Sequence, residues 1–158
     1  MLYRSTRGAS PAVSSAEAVL RGIAPDGGLY LPEALPAFDA RACLKMDTIS
    51  MASALLSALL PDIPDMAELT SRAYCGKFET EDLTPTVPVG NAHVLELFRG
   101  PTSAFKDVAL CMLPQLLTAA KARLGVEKET LILTATSGDT GKAALEGFRD
   151  VPGTKIIV

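Results

Sequence analysis

The strongest constraint on the fold is an alternation of strand and helix patterns in the second half of the chain. Apolar runs typical of strands at 93–98, 130–135 and 155–158 alternate with helical patterns at 103–124 and about 141–149. Short connections between such elements are typical of a parallel sheet, because each helix carries the chain back through a right-handed crossover. The sequence therefore predicts an α/β fold in which the three runs lie side by side.

Lys106 lies in the segment LELFRGPTSAFKD, where the first of these runs leads into the first helix. We expect Thr102 or Ser103 to be the N-cap, which places Lys106 in the first helical turn. That end of a helix carries a partial positive charge and is unfavourable for a cation. Such surroundings favour an unprotonated amine, the form that adds to a carbonyl group. An ordinary solvated lysine, with Asp107 as the anion at the helix start, is the alternative.

The second predicted connection, TATSGDTG at 134–141, joins a strand to the N-terminus of the next helix. Free backbone N–H groups at such a helix start bind carboxylates and phosphates. In a parallel sheet this loop and Lys106 would lie on the same edge. A simple capping turn remains the alternative. Three residues of the loop offer side-chain hydrogen bonds and two glycines allow close approach of a ligand: Ser137, Asp139, Thr140, Gly138 and Gly141.

The first half of the chain predicts short helices with polar caps. Capping-box patterns begin at Ser14 and Asp65, and Asp47 or Thr48 opens a strongly apolar helix. Met1 to Gly8 has the pattern of an edge strand that runs into a loop. We expect residues 1–82 to form a small, mainly helical domain, and 83–158 to form the first part of the α/β domain.

Composition excludes several classes of protein. The net charge of −3, the lack of tryptophan and the absence of a basic patch argue against a nucleic-acid partner. No apolar run approaches the length of a membrane span, and no signal-peptide pattern is present. One histidine and three scattered cysteines predict no metal site, and the reduced thiols favour a cytoplasmic protein.

Other candidate motifs fail on their residues. Gly141 and Lys142 suggest a phosphate-binding P-loop, but Thr136 and Ala143 stand where that motif needs Gly and Ser or Thr. His93 has no serine or aspartate arranged around it as a triad. The acidic residues at 79–82 are expected to form a solvated loop.

Four segments together resemble the threonine synthase family. YRSTRG and APDGGLYLPEALP resemble its N-terminal region, ELFRGPTSAFKDVAL its cofactor-lysine segment, and ATSGDTGKAALEGF its substrate loop. The resemblance covers all 158 residues and implies an enzyme of fold type II that uses pyridoxal 5'-phosphate (PLP). The implied architecture is a helical N-terminal domain followed by the start of a parallel-sheet, tryptophan synthase β-like domain, incomplete at Val158.

The family resemblance also implies roles for particular residues. Lys106 would carry PLP on its amine and shuttle protons, while O-phospho-L-homoserine and water become L-threonine and phosphate. Phe105 and Asp139 would contact the cofactor, and Asp107 would help to position Lys106. The loop that grips the α-carboxylate of the substrate would consist of Ser137, Gly138, Asp139, Thr140 and Gly141.

The resemblance leaves several points open. Arg99 stands where many family members have histidine, and Arg4, Arg7 and Lys142 are candidates for the substrate phosphate. Because the later phosphate loop of the family is absent, we expect these 158 residues alone to be inactive and to self-associate through exposed apolar surface. A phospholyase of the same family with another substrate, or a short non-catalytic module, are the alternatives.

Overall fold

The computed structural model describes residues 1–136 and 138–158, which form a mixed α/β structure. This confirms the expected fold class. Within these residues the chain forms seven strands and six helices. In chain order they are β1 (Leu2–Ser5), β2 (Val13–Ser14), α1 (Ser15–Arg21), β3 (Tyr30–Pro32), α2 (Ala40–Cys43), α3 (Thr48–Leu59), α4 (Met66–Tyr74), β4 (Thr86–Val89), β5 (Ala92–Leu95), α5 (Asp107–Arg123), β6 (Thr130–Leu133), α6 (Asp139–Phe148) and β7 (Thr154–Ile157).

Strand β1 is the centre of a three-stranded antiparallel sheet with the order β2-β1-β3. Tyr3 lies opposite Val13 on one side and Pro32 on the other. The prediction of an edge strand was wrong. Its two partners are only two and three residues long, too short to show the alternation that identifies a strand in a sequence.

The carboxylate of Asp26 ties this sheet to the loop that follows β1. It accepts hydrogen bonds from the hydroxyl of Ser5 at 2.6 Å and from the backbone N–H groups of Ala9, Ser10 and Gly28, each at 3.0 Å. The hydrogen bond from Ser5 is the largest influence, and together these donors lower the pKa of Asp26 from 3.8 to about 2. One ionised side chain therefore organises the whole turn.

The predicted caps of the N-terminal helices have mixed outcomes. The Ser14–Glu17 capping box forms at α1, and Asp47 accepts a hydrogen bond from the N–H of Ser50 at the start of α3. The cap predicted at Asp65 was wrong, because this residue has a left-handed backbone (φ 56°) and makes no side-chain cap hydrogen bond. A side-chain cap requires an extended backbone, which directs the carboxylate towards the first turn.

Helix α5 packs against the N-terminal helices α1 and α4 and against α6. Cys111, Met112 and Ala120 of α5 are buried in the same apolar cluster as Leu69 and Ala73 of α4. The core is thus formed by residues from both sides of position 82. The division into domains 1–82 and 83–158 stays a prediction.

Helix α5 runs unbroken past Pro114, which is buried within it. Its contact with α6 is close at Gly147, where a Cβ atom would clash with the carbonyl oxygen of Leu110. Glycine is therefore needed at this position for the two helices to approach each other.

The second half contains a parallel pair and a separate hairpin. Strands β6 and β7 pair in parallel, with Ile132 opposite Ile156, and α6 forms the crossover. The segment predicted as a strand at 93–98 instead ends at Leu95 and pairs antiparallel with β4. Its predicted place in the parallel sheet was wrong, because Gly90 (φ 59°) supplies a tight hairpin turn between two short strands. Across the residues described, no helix has the length and apolar character to cross a bilayer.

Asp26 should make stability dependent on acid. Because its folded pKa of about 2 lies below the ordinary 3.8, its contribution is complete above pH 3.8 and is lost as the pH falls through about 2. We expect Asp26→Asn to lower the Tm at pH 7. The difference in Tm between this variant and the unmodified protein should become smaller towards pH 2. Asp82→Asn, which removes an exposed carboxylate, is the control. A gap that is the same at pH 7 and pH 2 would contradict this role.

Candidate active site

A compact turn, and not a strand, positions Lys106. Strand β5 ends at Leu95, and α5 begins at Asp107 with Lys106 as its N-cap residue. The backbone of Lys106 is already helical (φ −69°, ψ −15°), and its carbonyl accepts the N–H of Leu110 at 2.8 Å. The caps predicted at Thr102 and Ser103 were wrong. Ser103 is left-handed (φ 58°) and closes a separate turn on Gly100.

The carboxylate of Asp107 holds this turn against the helix. Asp107 is 1% exposed and accepts hydrogen bonds from the N–H of Thr102 at 2.8 Å and from its hydroxyl at 2.6 Å. Gly100 passes so close that a Cβ atom there would lie 2.5 Å from Asp107 Oδ2. The backbone on both sides of Lys106 is therefore fixed by a buried ionisable group and a glycine that admits no side chain.

The amine of Lys106 lies over an aromatic ring at the edge of an apolar cavity. Its Nζ is 4.5 Å from the ring centroid of Phe105, a cation–π distance. Both residues border a cavity of about 500 Å³. Tyr74 also borders it and donates a hydrogen bond to the carbonyl of Val108 at 2.9 Å, and burial raises the pKa of Tyr74 to about 12. The other lining residues are Leu56, Val108, Ala109, Leu110, Met112, Leu113 and Leu116.

Arg99 joins this turn to the preceding loop. Its guanidinium lies 2.7 Å from a carboxylate oxygen of Glu96 and 2.9 Å from one of Glu79, and it stacks on Phe98 at 5.0 Å. Hydrogen bonds to Glu79 and then Glu96 raise the pKa of Arg99. The acidic residues at 79–82 are exposed, as expected, and Glu79 in addition pairs with Arg99. A guanidinium can bridge two carboxylates in this way. This ion-pair bridge explains the presence of arginine at position 99, where histidine was expected.

The loop before α6 is only partly open to a ligand. Helix α6 begins at Asp139, two residues earlier than predicted, with Gly138 as the exposed N-cap residue. Around Gly138 a Cβ atom would meet nothing within 4 Å, whereas at Gly141 it would lie 2.5 Å from Thr136 Cγ2 and 2.6 Å from Val158 Cγ1. The small size of Gly141 thus serves packing, and its expected approach to a ligand stays a prediction. The predicted residue Ser137 lies outside the described residues.

The predicted site residues lie on two neighbouring surfaces. Lys106 and Phe105 border the apolar cavity beside α5, while Gly138 and Asp139 are exposed at the start of α6. Lys106 and the loop at 137–141 were expected to lie on one edge of a parallel sheet. That expectation was wrong, because β5, the strand before Lys106, is not in the parallel sheet. A second cavity of about 620 Å³ brings the turn before Lys106 against α6. Its lining consists of Pro101, Thr102, Ser103, Lys142, Leu145, Glu146, Arg149 and Ile156.

Sequence reasoning missed the two interactions that shape the lysine turn. The Asp107–Thr102 hydrogen bonds span five residues, and the Arg99–Glu79 ion pair spans twenty. The only signal for the first was an acid directly after the lysine, which equally suits an ordinary helix start. The second carries no local signal at all, because it depends on how two loops meet.

Removal of the Asp107 carboxylate should loosen the turn around Lys106. Asp107→Ala leaves two donors of Thr102 without acceptors, and each buried unsatisfied group costs about 1–3 kcal/mol. We therefore expect urea titration to show a free energy of unfolding lower by about 2–6 kcal/mol. Asp107→Asn is the matched control, because its amide can accept from the Thr102 N–H and donate to the hydroxyl. Equal losses in the two variants would contradict the hydrogen-bonded role.

Comparison with known proteins finds similarity to threonine synthases. A family model described as "Threonine synthase N terminus" matches residues 2–74. A threonine synthase of Methylobacillus glycogenes is 41% identical over 100% of this chain and 36% of its own length. A mouse protein named "Threonine synthase-like 2" is 38% identical over 100% of this chain and 34% of its own.

A solved structure gives the same result for the fold. The crystal structure of "PLP bound Threonine synthase" from Brucella melitensis matches with a TM-score of 0.90 and 40% identity, over 99% of this chain and 34% of that one. The chain spans about a third of the length of the relatives it matches. Over its whole length it is similar to the N-terminal third of threonine synthases.

Proposed function

We propose that this chain is the N-terminal part of a PLP-dependent threonine synthase, which converts O-phospho-L-homoserine and water to L-threonine and phosphate. The observation that carries the proposal is the placement of Lys106. Its amine borders an apolar cavity, and a buried hydrogen-bonded turn fixes its backbone. The Brucella relative was solved with PLP bound.

The residues around Lys106 fit an aromatic aldehyde such as PLP. A primary amine next to the ring of Phe105, at the edge of a cavity of about 500 Å³ lined mainly by apolar side chains, suits a planar ring. Lys106 would hold the cofactor covalently, with Phe105 and Asp139 in contact with it. When bound, PLP serves as an electron sink for the carbon chemistry.

Lys106 would contribute positioning and proton transfer. Its Nζ would accept a proton from the substrate and return it at another carbon, which requires the amine to reach both without movement of its backbone. The Asp107–Thr102 hydrogen bonds and the tight passage of Gly100 supply this fixed backbone. The ring of Phe105 would exclude water from one side of the amine.

The start of α6 would bind the substrate carboxylate. The first backbone N–H groups of a helix have no acceptor within the helix and attract anions. Gly138, Asp139 and Thr140 stand at this helix start, and Ser137 and Gly141 complete the proposed loop. The structural packing at Gly141 is compatible with a role for its N–H group.

A second candidate is a phospholyase of the same family that acts on a different phosphorylated amino acid. The match to "Threonine synthase-like 2" over the whole chain favours keeping it, because this relative is nearly as similar as the threonine synthases. The two candidates share Lys106 and the loop at 137–141. Activity of the complete protein on O-phospho-L-homoserine would separate them.

Lys106 should be the preferred lysine for PLP. We expect PLP followed by borohydride to label Lys106 above the other lysines, because its backbone is fixed beside a cavity of suitable size. Peptide mass mapping would locate the label. Lys106→Met should abolish the preferred label, and Lys45→Met, which removes an exposed lysine, should retain it. Labelling spread evenly over exposed lysines, in this chain and in the complete protein, would overturn the assignment.

The exposed apolar face of the β6–β7 pair should cause self-association of the isolated chain. Leu131, Leu133 and Ile157 are between 53% and 69% exposed on this face, and edge-exposed apolar strands associate. Light scattering should show a mass that rises with concentration. Leu133→Lys should lower this mass, whereas Leu44→Lys, at an even more exposed position outside the sheet, should not. A monodisperse monomer would contradict the expectation.

A further inference from the structure

A basic cavity of about 470 Å³ lies between α4, α5 and the connection from α6 to β7. It shares no residue with the cavity beside Lys106, and it shares Arg149 with the cavity between the lysine turn and α6. Three cationic side chains and one carboxylate line it, although the chain as a whole carries a net charge of −3. The lining consists of Arg72, Lys77, Gln115, Thr118, Arg149, Asp150, Val151 and Pro152.

The three cations are only partly neutralised by the protein. Arg72 lies 3.7 Å from Glu68 with both side chains more than half exposed, so the attraction is weak. Arg149 pairs with Glu146 at 2.8 Å. Within residues 1–136 and 138–158, Lys77 makes no ion pair. Counted with Glu68 and Glu146, the carboxylates around the cavity equal its cations in number, so the positive charge that an anion could neutralise centres on Lys77.

Lys77 is held near the interior. The residue is half-buried, and its backbone N–H donates a hydrogen bond to the carbonyl of Tyr74 at 3.2 Å. Burial raises the pKa of the Cys111 thiol while the Lys77 charge opposes that rise, which places Lys77 within electrostatic reach of α5. Because the Lys77 residue is half-buried, water screens its charge less than that of a fully exposed lysine.

The remaining lining groups suit a small phosphorylated molecule. Thr118 donates its hydroxyl proton to the carbonyls of Pro114 at 2.9 Å and Gln115 at 3.1 Å, so it can only accept a hydrogen bond, from a hydroxyl of the ligand's organic part. The Gln115 amide can donate to a phosphate oxygen, and the Asp150 carboxylate can accept from a hydroxyl of an organic part. Arginine and lysine together are the usual ligands of a phosphate dianion.

The cavity lies at the opposite end of α6 from the loop at 137–141. Val151 and Pro152 precede β7, whereas the loop follows β6, so the two sites are at opposite edges of the parallel pair. Helix α6 has ten residues and thus separates them by about 15 Å. A ligand here would not occupy the candidate active site.

We propose that this basic cavity binds a phosphate dianion, either free or as a monoester, at a second site separate from the lysine and its loop. The site takes charge from α4, from the turn after it and from the end of α6. It does not depend on the proposed synthase activity.

The test is a calorimetric titration of the chain with inorganic phosphate and with glycerol 3-phosphate, at constant ionic strength set by chloride. We expect saturable binding that Lys77→Met weakens about tenfold or more, the usual effect of losing one charge-assisted hydrogen bond. Lys45→Met is the matched control and should bind as the unmodified chain does. Tighter binding of glycerol 3-phosphate would identify a monoester as the ligand, and equal binding would identify free phosphate.

Two results would overturn the proposal. One is the absence of saturable binding. The other is an equal weakening in Lys77→Met and Lys45→Met, which would show diffuse attraction only. If Lys77→Met fails to fold by circular dichroism, Arg72→Met replaces it, because the Arg72 side chain is 54% exposed and its loss spares the core.

Discussion

Burial of α5 is the interaction on which the rest of this structure depends. Ala120, Cys111 and Met112 are at most 4% exposed and belong to one apolar cluster with the N-terminal helices. On its other side, α5 meets α6 at Gly147, where no side chain fits. The helix is therefore held by two partners, and its first residues cannot shift without disturbing both.

This arrangement positions Lys106 through its backbone, with few contacts to its side chain. The side chain of Lys106 touches an aromatic ring and an apolar cavity, while the fixed groups are its backbone neighbours. The buried carboxylate of Asp107 and the closeness of Gly100 restrain the turn, and Arg99 ties that turn to the loop at Glu79. Rigid backbone with a free amine is the combination that covalent catalysis by lysine requires.

The two faces of the β6–β7 pair differ in burial. Alternate residues such as Ile132 and Ile156 are half-buried, while Leu133 and Ile157 on the other face are exposed. Parallel strands in other proteins are covered on both faces. The exposed face is consistent with a chain that spans about a third of the length of its relatives.

The sequence by itself determined the elements that depend on local patterns. The capping box at Ser14, the apolar helix after Asp47 and the β6–α6–β7 unit follow from spacing and turn residues that act within a few positions. The family resemblance likewise rested on contiguous segments. Only the tertiary structure decided the partner of β5, the central place of β1, the Arg99–Glu79 ion pair and the packing role of Gly141. Each of these depends on residues that are distant in sequence or on the space between elements, which no local pattern encodes.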